Sequence, residues 1–70
     1  KGTDASFVIF MTGDTVSVSA RSLGKVNVQV IMEALGGGGH QTMAAAQFKE
    51  ETTNQVYDKL IGEIDKFFEN

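Results

Sequence analysis

Four consecutive glycines, Gly36 to Gly39, interrupt the middle of this chain and run straight into its only histidine, His40. A run of bare backbone is either a hinge with no partner or a stretch that must come close to something. A linker joins two units that each fold alone. This chain has 70 residues, so neither half could bury a core by itself. The run also lacks the Ser and Thr that usually accompany Gly in linkers. The glycines therefore belong inside a single domain, residues 1-70, and the flanking sequence has to say what they approach.

Upstream, "SFVIFM" (residues 6–11) is a short apolar run rich in β-formers, and "TVSVSA" (residues 15–20) alternates cleanly. Gly13-Asp14 between them predicts a β-hairpin. The first strand is apolar on both faces, which predicts the more central position for it. "NVQVIMEALG" reads as a helix, with Asn27 as N-cap, a stripe of Val30, Ile31, Ala34 and Leu35, and Gly36 at C′. "AAAQFKE" (residues 44–50) fits either a helix, from its alanines, or a short strand, from Phe48 between polar neighbours. Thr52 and Gln55 form a capping box for a last helix. Its stripe is Val56, Tyr57, Leu60, Ile61, Ile64, Phe67 and Phe68, with Asp58, Glu63, Asp65 and Glu69 opposite. The fold class is α+β: a small sheet, made of a β-hairpin plus a further strand, packed by two helices in the order β-β-α-loop-β-α.

Composition narrows the function. A hydrophobic content of 41% with no Cys suits a globular domain without disulfides or thiolate metal sites. The net charge is −3, which argues against nonspecific binding of duplex nucleic acid. That charge is uneven: residues 1–49 carry +1 and residues 50–70 carry −4. A local positive site near Arg21, Lys25 and His40 is compatible with it. No run approaches the roughly 20 apolar residues of a membrane span. The chain opens Lys-Gly-Thr, so it reads as a fragment of a longer protein.

Gly36 is explained by the helix cap, but Gly37, Gly38 and Gly39 are not. Successive amides in such a run can turn inward as a nest for an anion, and a missing Cβ lets a phosphate approach. If "HQTMAAA" began a helical turn, its N-terminus would add free donors. His40 could donate to the same phosphate. Arg21, just past the second strand, offers a planar fork for phosphate or a plate for a base, and Ser22 adds a hydroxyl. The Walker and dinucleotide fingerprints are absent: no Gly-Lys-Ser/Thr occurs, and Gln41 stands where the last Gly of G-x-G-x-x-G would be. Glu50-Glu51 reads as a solvated strand end.

Taken together, "VSARSLGKVNVQVIMEALGGGGHQTMAAAQ" resembles the C-terminal DHH-associated domain of the DHH phosphoesterase superfamily. The wording "SARS…VNVQVIME.LGGGGH" is most similar to the membrane-anchored bacterial cyclic-di-AMP phosphodiesterases. The resemblance covers roughly residues 15–68. It implies a substrate-binding lobe of a larger multidomain hydrolase that opens cyclic-di-AMP to pApA. A separate DHH lobe of the same chain would hold two manganese ions. This lobe would close over the cleft, with Gly37, Gly38, Gly39 and His40 on the substrate phosphate and Arg21, with Ser22, on the nucleotide. It implies a parent anchored in the membrane with this lobe on the cytoplasmic face. The Asp-His-His motif is absent here, so no catalytic or metal-binding residue is expected on this chain, and the fragment alone should be inactive. A lobe of an oligoribonuclease or phosphoadenosine-phosphate phosphatase, a non-catalytic nucleotide-binding module and a purely structural domain are the other readings. If the shared site is real, the glycine run lies at one edge of the sheet beside Arg21.

Overall fold

The computed structural model describes residues 5–23 and 25–69. The hairpin forms where the alternation places it: β1 (Ala5–Thr12) and β2 (Thr15–Ser22) pair antiparallel from Thr12↔Thr15 to Ala5↔Ser22. Gly13 takes φ 62 and Asp14 does not share a positive φ, the pattern of a type II′ turn. "NVQVIMEALG" gives α1 (Val28–Ala34), and Asn27 caps it by accepting from the Gln29 amide at 3.1 Å. At its other end Gly36, φ 89, donates to the Glu33 carbonyl and Gly37 to the Met32 carbonyl, which is a Schellman motif.

Beyond the cap the glycine run is not loop. Gly38–Gly39 form a short strand, β3, antiparallel to β4 (Met43–Lys49) with Gly38↔Ala45 and Gly39↔Ala44. The order is therefore β-β-α-β-β-α. The ambiguous alanine stretch resolves as strand, since Ala44, Ala46 and Phe48 are buried at a period of two. No helical turn begins at His40; the chain there is the tight connection between β3 and β4. The last helix, α2 (Thr53–Glu69), carries the capping box in both directions: Thr52 N–H to Gln55 Oε1 at 2.8 Å, and Gln55 N–H to Thr52 Oγ1 at 3.1 Å.

The sheet order is β1-β2-β4-β3. This corrects the expected position of β1, which is an edge strand, while β2 lies inside. Ala5, Phe7 and Ile9 pack on the core, but none of the described residues covers the other face of β1, where Val8 is 56% and Phe10 45% exposed. Apolar residues on both faces meant one core face and one open face, not centrality. Both helices sit on the same side of the sheet, over Val16, Val18, Ala20, Ala44, Ala46 and Phe48. The face α1 buries is Val28, Ile31 and Met32, with Leu35 half-buried; Val30 and Ala34 stand exposed. On α2 only Val56 and Leu60 are fully buried and Ile64 and Phe67 partly so, whereas Tyr57, Ile61 and Phe68 face solvent. A small sheet offers each helix a contact narrower than its apolar stripe. Asp58 and Asp65 are exposed, and Glu63 lies 3.5 Å from Lys66. The Glu69 side chain lies outside the described residues.

Candidate functional site

The four glycines are held for different reasons. A Cβ on Gly37 would fall 2.0 Å from the Ala45 carbonyl oxygen, and one on Gly39, φ 144, would fall 2.5 Å from the Met43 carbonyl oxygen. Both glycines let bare backbone lie against β4. Gly36 is the helix cap. Gly38 has neither constraint: its φ is not positive, and a Cβ there meets nothing within 4 Å. Its missing side chain leaves open space in front of the sheet.

That space is a cavity of about 340 Å³, lined among others by Ser19, Arg21, Gly38, Gly39, His40 and Met43. The geometry follows from register. Ser19 and Arg21 are two apart on β2, so both point to the helix-free face. Met43 stands opposite Arg21, and Ala45 stands between Ser19 and Gly38. His40 is fixed rather than loose. Its N–H donates to the Met43 carbonyl at 2.7 Å, and its carbonyl accepts from the Met43 N–H at 3.3 Å. The turn between them is tied down from two sides, by the Ser22 N–H to the Thr42 carbonyl and the Val28 N–H to the Gln41 carbonyl. The glycine edge and Arg21 thus share one cavity, as expected.

Two expected residues are not in it. Ser22 follows Arg21 directly, so it points to the opposite face and is 7% exposed among the core residues. Gly37 lines a neighbouring hollow with Gly36 and Gln47 instead. The amides of Gly36, Gly37 and His40 are all used inside the chain, so the run is not a nest of successive free donors. Ser19 and Met43 were missed in the sequence. The signal for Ser19 was the period of two that places it beside Arg21.

The cavity suits an anion. Among the described residues Arg21 makes no ion pair and no carboxylate lines the space, and His40 is exposed. A guanidinium fork and an imidazole donor facing bare backbone match a phosphate group. Among the described residues no group of three or more His, Asp or Glu could hold a metal ion. Glu51 pairs with Lys59 at 2.8 Å, on α2's side of the molecule.

Residues 1–70 match the DHHA1 domain family. The chain is similar to the cyclic-di-AMP phosphodiesterase GdpP of Geobacillus thermodenitrificans, 58% identical over 97% of this chain and 10% of that protein. It is 51% identical to the cyclic-di-AMP phosphodiesterase PdeA of Listeria monocytogenes, with the same coverage of each chain. It thus spans about a tenth of the length of these relatives. Among solved structures, a pGpG-specific phosphodiesterase, PggH of Vibrio cholerae, superposes with a TM-score of 0.68 at 20% identity. That match covers 90% of this chain and 24% of the other, a likeness of fold.

Proposed function

This chain belongs to the DHHA1 domain family, and from that premise we propose that it is the phosphate-gripping lobe of a cyclic-di-AMP phosphodiesterase. The observation that carries this is the meeting of Arg21, Gly38, Gly39 and His40 in one cavity, with no carboxylate among the described residues that line it. Arg21 forks onto the phosphate oxygens, and His40 donates a hydrogen bond to the same group. Gly38 leaves room for the phosphate to reach the backbone. Gly37 keeps β3 against β4, and Ser22 holds the end of β2 to the turn through its backbone. The parent would hydrolyse cyclic-di-AMP to pApA. Its nucleophile would come from a two-manganese centre in a separate DHH lobe, in keeping with the lack of a group of metal-ligating side chains among the described residues. This lobe would therefore place the substrate rather than activate water, and alone it would not turn over. No helix among the described residues is long and apolar enough to cross a membrane. A membrane anchor, with this lobe on the cytoplasmic face, would belong to another part of the parent.

The test is turnover of cyclic-di-AMP by the intact parent carrying Arg21→Ala or His40→Ala, with bound manganese measured alongside. Losing one charge-assisted contact should lower kcat/KM by about 10- to 150-fold with metal content unchanged. Wild-type rates in both variants would remove these residues from the site.

A further inference from the structure

Beside the phosphate cavity, the helix-free face carries a second one of about 400 Å³, and the two share Ser19 and Ala45. Its floor is small, built from Ser17, Ser19 and Ala45. Its large members are Phe10 on β1 and Gln47 on β4, which the register sets in one cross-strand row with Ser17 between them. Ser17 is only 8% exposed, so its two larger neighbours shield it, while Phe10 keeps 45% of its surface in solvent. A sheet face built to pack against another layer would carry large aliphatic residues in its middle. On its two inner strands this one carries Ser17, Ser19, Ala45 and Gln47 there, with Val8 and Phe10 on the edge strand β1 and its cations, Arg21 and Lys49, at the two ends.

We propose that this second cavity seats a nucleobase of the substrate, with the Phe10 ring as stacking surface and the Gln47 amide reading the base edge. The inference rests on the phosphate assignment above. The row of Phe10, Ser17 and Gln47 lies two residues along the strands from the row of Ser19, Ala45 and Gly38, about 7 Å. A base and its own phosphate, joined through a sugar, span such a gap. An aromatic ring on an open four-stranded sheet is a sequence-tolerant platform for single bases. An amide supplies both a donor and an acceptor, so it can discriminate between purine edges. Arg21 and His40 hold the phosphate common to all nucleotides; Phe10 and Gln47 give the lobe its preference for a base.

The experiment uses the full-length parent and compares KM for a base-bearing dinucleotide with KM for its abasic analogue. Phe10→Leu keeps an apolar side chain of similar bulk at an exposed position but removes the π-face. It should shrink the preference for the base-bearing substrate by about 5- to 150-fold, and Phe10→Tyr should restore it. Gln47→Leu should change the ratio of KM between adenine and guanine dinucleotides. Arg21→Ala should weaken both substrates alike and leave the preference intact. An undiminished preference in Phe10→Leu, with the melting temperature unchanged, overturns the base site. Full-strength binding of both substrates by Arg21→Ala would instead sink the phosphate assignment and leave the Phe10 result to be read by itself.

Discussion

Gly38 and its neighbours separate two uses of glycine within four residues. At Gly37 and Gly39 a side chain would collide with the backbone of β4, and Gly39 also needs φ 144. Gly37→Ala or Gly39→Ala should therefore destabilise the protein by about 1–3 kcal/mol or more, read as a lower urea midpoint. Gly38→Val should leave that midpoint close to wild type, since the added Cβ meets open space and the φ suits any residue. It should nevertheless cripple turnover in the parent, because the branched side chain stands where phosphate approaches. A Gly38→Val parent with wild-type kinetics would show that the space in front of β3 is not used. The pair of outcomes separates folding from binding at adjacent positions.

The elements are stopped and started by local contacts, and these differ in what else they hold. Asn27 caps α1, and the next residue, Val28, donates its N–H to Gln41 in the turn that carries His40. Asn27→Ala should cost about 1 kcal/mol and also loosen that turn, raising KM in the parent. Thr52→Ala removes one arm of the capping box of α2 at a similar cost of about 1 kcal/mol. Thr52 is exposed and absent from either cavity, so KM should not move. Thermal denaturation and steady-state kinetics on the two variants check this contrast. Equal KM shifts in both would mean that α1 has no special link to the site.

For the whole molecule, one-sided packing sets the stability. Two helices cover one face of four strands, and Ile31 and Met32 of α1 are among the largest fully buried side chains. A chain of this length holds on the order of 4–10 kcal/mol, and Met32→Ala should remove about 2–5 kcal/mol of it. Urea denaturation should show a large loss of midpoint, and a loss below 1 kcal/mol would mean that the core can collapse around the gap.

The sequence by itself determined the features that depend on residues within a turn or two of each other: the Gly13-Asp14 hairpin, the Asn27 cap, the Thr52–Gln55 box and Gly36 at C′. It also paired the glycine edge with Arg21, because the combined motif resembles a known family. Only the tertiary structure decided that β2 rather than β1 lies inside the sheet, since that rests on β4 pairing with β2 from more than twenty residues away. The same pairing turned Gly38–Gly39 from loop into strand and settled the ambiguous alanines. It also split Arg21 from Ser22. Consecutive strand residues point to opposite faces, but which face stays open depends on where both helices pack, and no local pattern records that.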